Sequence, residues 1–230
     1  MGLAGKAKGI LFDFDGTLYG DWHIWISIIV NTLANFRVNV DPVEPLEKAR
    51  SMIEKGDGAN GTLRISGVAS AVARDHGVDR DDDVRARFFQ LLDARMDETG
   101  PDGKVVKLLE DCHRSRFHMG IVTFVRKARI TRRLESWSFN QYFRSVITPD
   151  DLGEVKPSPL PFQKAMREID VEPADCTVVG DEPVDMIGGK KAGATTVGLP
   201  VGFFSNKSLR DAGADHILAS IDLLPTILRS

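Results

Sequence analysis

The chain has 230 residues and a formal charge of −3, which suits one large domain or a core carrying one insertion. That charge balance points to neither nucleic acid nor an acidic membrane surface as a partner. The two cysteines, Cys112 and Cys176, lie far apart with no CxxC pair, which argues against a disulfide framework or a zinc site and fits a reducing compartment.

Residues 1–8 are short and basic, and the apolar run after them is too brief for a signal peptide. Residues 9–14 read as a buried strand ended by Asp-Gly. Helical periodicity follows, with candidates at 22–36, 45–54, 62–76 and 83–96. The longest apolar stretch, 24–30, is interrupted by Ser27 and is far shorter than a membrane span. A cytoplasmic location is expected. Thr99-Gly100-Pro101-Asp102-Gly103 then breaks the helical pattern.

Beyond that break, strands and helices alternate. Strands are predicted at 119–124, 143–148, 176–179, 195–197 and 216–218. Helices are predicted at 104–114, 127–137, 159–169, 184–192 and 221–228. Such alternation implies a doubly wound, Rossmann-like α/β core with a parallel sheet covered on both faces. The first strand is separated from its sheet partners by more than a hundred residues. The expected division is therefore an α/β core domain of 1–19 and 100–230, interrupted by a helical domain of 20–99. Arg126, Lys127, Arg129, Arg132 and Arg133 read as a solvated helix face. Trp22, Trp25 and Phe36 read as core of the helical block, and His23 as a surface or interface residue.

In doubly wound sheets ligands bind beyond the carboxyl ends of the strands. Several polar residues fall at such ends: Asp13 and Asp15 after the first strand, Thr123 after the second, Lys156 after the third, and Asp181 with Asp185 after the fourth. Carboxylates gathered at one point repel and need compensating positive charge. A hard divalent cation and one lysine would supply it. An all-oxygen set without His or Cys suits magnesium better than zinc. A carboxylate can also attack phosphorus, and a second one two residues on can serve as acid and base. Gly16 permits the turn, and Thr17 can fix the loop by a hydrogen bond. Taken alone, each residue has a plainer reading: Asp-Gly as a turn, Thr123 as structural, Lys156 as a surface lysine, Asp185 as part of a helix N-terminus.

Together, Asp13-Phe14-Asp15-Gly16-Thr17, Thr123, Lys156 and Asp181 with Asp185 resemble the four motifs of the haloacid dehalogenase superfamily. The motifs span Asp13 to Asp185, and the fold pattern covers nearly the whole chain. The resemblance implies an Mg2+-dependent phosphatase acting on a small phosphorylated metabolite. In it, Asp13 is the nucleophile and Asp15 the acid/base, whose backbone carbonyl binds the metal. Thr123 holds the phosphoryl group, Lys156 neutralises Asp13 and the phosphate, and Asp181 ligates the metal. Asp185 assists through water or orients Lys156. The helical block resembles a cap.

Two positions depart from the pattern. Members often carry Asn after the second-motif Ser or Thr, where this chain has Phe124; a substrate contact there is in question. Many capped relatives have Asp at the position of Gly20, whereas here Asp21 follows, so the hinge into the cap differs. In the block, Gly56-Asp57-Gly58-Ala59-Asn60-Gly61 is either a plain connection or a substrate loop, with Asn60 and Arg64 as candidate contacts. A phosphomutase would use the same aspartates. Dehalogenation is disfavoured by Asp15 and Asp181. A phosphonate-cleaving enzyme would need a Schiff-base lysine in the cap, and Lys48 and Lys55 there have no distinctive context. A non-catalytic member would be expected to have lost an acidic motif residue. Phosphoglycolate is one substrate that the resemblance suggests.

Overall fold

In the computed structural model, which describes residues 8–56 and 63–228, the short apolar runs become six parallel strands in one sheet. They are β1 (Gly9–Phe12), β2 (His118–Val122), β3 (Phe143–Ile147), β4 (Cys176–Gly180), β5 (Thr195–Gly198) and β6 (His216–Ile217), in the spatial order β3-β2-β1-β4-β5-β6. Every residue of β1 is buried, as a central strand covered on both faces requires. The chain builds outward from β1 in one direction, then returns to its other side at β4. This reversal opens a crevice at the carboxyl ends of β1 and β4, where such sheets bind ligands.

The contacts divide the chain into two compact units, Met1–Tyr19 with Pro101–Ser230, and Gly20–Gly100. In the first, helices α5 (Gly103–Arg114), α6 (Lys127–Ser136), α7 (Leu160–Glu168), α8 (Pro183–Lys191), α9 (Asn206–Asp211) and α10 (Pro225–Leu228) accompany the sheet. Leu11, Val122, Ile147 and Val178 of the strands form one buried cluster with Phe162 and Met166 of α7. Burial of this kind contributes about 1.5–3 kcal/mol per large apolar side chain and makes the strand ends a rigid platform. The expected helix at 221–228 divides into a 3-10 turn, Ile221–Leu223, and the single turn of α10. Leu224 between them keeps helical angles, but Pro225 has no N–H to continue the hydrogen-bond ladder across the junction.

The second unit contains helices α1 (Trp22–Ala34), α2 (Val43–Lys55), α3 (Ile65–Asp75) and α4 (Asp81–Thr99). Asp21 is the N-cap of α1: its Oδ1 accepts hydrogen bonds from the backbone N–H of His23 at 2.9 Å and of Ile24 at 3.1 Å. The Asp displaced by one position from the family pattern thus starts a helix. Of the three aromatics expected in the core of this unit, only Trp25 is buried. Trp22 and Phe36 are half-buried, the latter beneath the Arg80 guanidinium at 5.7 Å. His23 is exposed, as expected. None of the described helices is long and apolar enough to cross a membrane.

Candidate active site

Sheet register brings the strand-end residues together. Phe12 is level with Ile121 on one side and with Val179 on the other. The ladder continues one step further, because the Asp13 N–H donates to the Val179 carbonyl at 2.9 Å and the Thr123 N–H to the Ile147 carbonyl at 3.0 Å. Asp13, Thr123 and Asp181 therefore emerge at one edge of the sheet, and all three are buried.

After Asp13 the chain turns tightly. The Phe14 carbonyl accepts from the N–H groups of Leu18 at 2.9 Å and Tyr19 at 3.0 Å, and the Gly16 N–H donates to the Tyr19 carbonyl at 2.7 Å. Gly16 sits at φ +84°, and any Cβ there would overlap the Asp181 carboxylate. Only glycine satisfies both conditions. Thr17 reaches back to Asp181 through its hydroxyl at 3.4 Å. Phe14 and Tyr19 pack on Trp137, with ring centroids 6.0 Å and 5.5 Å away, which fixes the turn from beneath. Asp15 is half-buried in this turn, and its backbone bridges to Tyr19.

Lys156 is buried and joins the two sides of the crevice. Its Nζ donates to Asp13 Oδ1 at 2.8 Å and to Asp185 Oδ1 at 2.7 Å. Asp185 also accepts from the Glu182 N–H at 3.3 Å, at the start of α8. The helix-start reading and the lysine-orienting reading of Asp185 thus describe its two oxygens. Burial opposes charge on Lys156, but Asp13 and Asp185 outweigh it and hold the ammonium above the ordinary lysine range. Burial, then the charges of Glu182, Asp13 and Asp185, push Asp181 well above the ordinary carboxylate range despite Lys156. Burial also raises Asp185 to about 7 against the pull of Lys156.

One carboxylate oxygen each of Asp13, Asp181 and Asp185 lies within 4.8 Å of the others. With one lysine between them, the group is short of positive charge, as the raised Asp181 and Asp185 register. An all-oxygen, buried and anionic set fits a magnesium ion, and a divalent cation would reverse those shifts. The Asp15 carboxylate is outside this group. The Thr123 hydroxyl accepts from the Val125 N–H at 3.1 Å, which aims it within the turn.

Three features of the site were not visible in the sequence pattern. Gly202, in the loop after β5, packs its backbone on the Asp181 carboxylate. The Phe124 ring lies under the Lys156 ammonium, with Nζ 4.9 Å from its centroid. Of the basic residues 126–133, Arg126 and Arg132 are exposed, as expected of a solvated face, Lys127 and Arg129 are half-buried, and Arg133 is buried. Arg126 pairs with Asp150, Lys127 donates to the Val146 carbonyl at 2.6 Å, and Arg133 is buried over Trp137 at 5.4 Å. Acidic partners at 150–151 and the aromatic Trp137 were the available signals. Arg64 is exposed at the N-cap of α3, while Asn60 and most of the glycine-rich segment lie outside the described residues.

Residues 10–199 match the family model for haloacid dehalogenase-like hydrolases. The chain belongs to this family. It is an enzyme, a hydrolase of the phosphatase kind. It is 26% identical over 226 residues to the pyrophosphatase PpaX of Bacillus mycoides, covering 97% of this chain and 98% of that one. Among solved structures, it is similar to one described as a predicted phosphoglycolate phosphatase from Haemophilus somnus. The TM-score is 0.75 at 21% identity, covering 97% of this chain and 99% of that one. It is also similar to a HAD family hydrolase from Deinococcus radiodurans with bound phosphate and sodium. There the TM-score is 0.73 at 22% identity, with 96% and 95% covered. The two structural likenesses are ones of fold.

Proposed function

We propose that this hydrolase is a magnesium-dependent phosphomonoesterase of a small phosphorylated metabolite, acting through an aspartyl phosphate on Asp13. The observation that carries the reading is the buried contact of Lys156 with both Asp13 and Asp185, beside Asp181. A carboxylate so paired is held in one orientation, as an attacking group must be.

An Asp13 oxygen attacks phosphorus, the ester P–O bond breaks, and the leaving oxygen takes a proton from Asp15. Asp15, now a carboxylate, removes a proton from water as that water attacks the phosphoryl group. The P–O bond to Asp13 breaks, and inorganic phosphate leaves. Lys156 and Thr123 hold the phosphoryl oxygens as charge develops. Asp13, Asp181, Asp185 and the Asp15 carbonyl are the groups that would hold magnesium, which neutralises phosphate charge when bound. Substrate choice is assigned to the helical unit as a cap, with Arg64 as a contact for a second anionic group.

The test is release of inorganic phosphate from a metabolite panel that includes pyrophosphate and phosphoglycolate, with magnesium and with chelator. Pyrophosphate enters because of the curated relative's name. Turnover should need magnesium and should vanish in Asp13→Asn. Full turnover by that variant would falsify the nucleophile. Isomerisation of a sugar phosphate without phosphate release would favour a phosphomutase instead.

A further inference from the structure

We infer that Phe124 is a positioning residue: its ring face lies against the Lys156 ammonium and steadies it while its N–H groups reach Asp13 and Asp185. This rests on Lys156 being the group that neutralises Asp13 and the transferring phosphoryl.

A lysine ammonium has three N–H donors. Two are directed at Asp13 Oδ1 and Asp185 Oδ1, at 2.8 Å and 2.7 Å. The Phe124 centroid is 4.9 Å from Nζ, within the range at which a ring quadrupole attracts a cation. Lys156 is buried, so this attraction is little screened by water. Phe124 itself is half-buried directly after Thr123, so one turn orients both the phosphoryl-holding hydroxyl and the ring. An amide at this position, as in many relatives, would offer Lys156 a hydrogen bond. The ring offers charge stabilisation without a directional acceptor, leaving both strong donors to the aspartates. Lys156 is thereby held on the line between Asp13 and Asp185.

The full chain tests this in two ways. The first does not depend on catalysis. In proton–carbon spectra of the lysine side chains, a ring beneath the ammonium shifts the Lys156 ε-methylene protons upfield. The shifted signal, assigned by its loss in Lys156→Met, should persist in Phe124→Tyr and disappear in Phe124→Leu. No upfield lysine signal in the parent protein, or its survival in Phe124→Leu, would overturn the inference. The phosphatase reading would stand in either case. The second is kinetic. Phe124→Leu should lower kcat about tenfold with little change in KM, and Phe124→Tyr should restore it. A rise in KM at unchanged kcat would instead make Phe124 a substrate wall and overturn its positioning role.

Discussion

Gly202 lies against the carboxylate of Asp181, with no room for a methyl group between them. Gly16 borders the same carboxylate from the first-strand turn, so Asp181 is confined between two backbones from opposite ends of the chain. A confined carboxylate is pre-oriented for whatever it binds, at the cost of admitting no side chain at either glycine. Gly202→Ala should therefore displace Asp181 or the loop, costing about 1–3 kcal/mol as overpacking does. The magnesium-induced rise in melting temperature should shrink with it. Gly153→Ala, where a Cβ meets nothing within 4 Å, is the control and should behave as the parent. Equal magnesium responses in the two variants would refute the confinement.

A second relationship ties the Thr123 turn to the loop that leads to Lys156. Lys127 Nζ donates to both oxygens of Asp151 at 3.1 Å, and Asp151 Oδ2 accepts from the Thr148 N–H at 2.9 Å and its hydroxyl at 2.7 Å. Asp151→Ala should cost about 1–2 kcal/mol and lower kcat, since Lys156 follows on the same loop. Burial raises the Asp151 pKa, but the Thr148 and Lys127 hydrogen bonds more than offset it and hold the carboxyl below its ordinary value. A group depressed in the folded state contributes fully above its unfolded pKa and loses that contribution as pH falls through the folded one. The stability gap between parent and variant in urea should be complete at pH 7 and narrow below about pH 4. A gap that widened on acidification would contradict the network.

Asp21 gives a smaller prediction in the helical unit. Its side chain caps α1 by two hydrogen bonds. Asp21→Ala should cost about 1 kcal/mol of stability. Turnover should be unaffected, because the residue acts as a cap of α1. A selective loss of kcat/KM at unchanged stability would return Asp21 to a direct role in the hinge.

The sheet and the strand-end residues were legible because buried parallel strands are short apolar runs, and those of β1, β2 and β4 run straight into a polar residue. Asp13, Thr123 and Asp181 could thus be placed at strand ends before any geometry was known. Strand order fixed which ends meet. The helix Asn206–Asp211 was missed because its six residues are too few to show a period, and Ser205, its cap, looks like loop. Arg133 was misread because one buried arginine in a basic run differs from its neighbours only by a ring four residues on. Gly202 and Phe124 were beyond reach or only half seen. Their roles depend on close approach between segments distant in sequence, which no local pattern encodes.

Asp181 carries the last prediction. Its carboxylate is buried among Asp13, Asp185 and Glu182, and burial with their charges opposes its ionisation. A carboxylate held in such company weakens the metal-free fold and is tolerated for what it binds. Asp181→Asn removes the charge with almost no change in shape. Without metal, the variant should melt at a higher temperature than the parent. Magnesium should raise the parent's melting temperature and leave the variant's nearly unchanged, with phosphate release abolished. Scanning calorimetry with chelator and with magnesium reads all of this. A variant less stable than the parent in chelator would mean that Thr17 and the two flanking glycines need the negative charge itself, and the functional strain would then lie elsewhere.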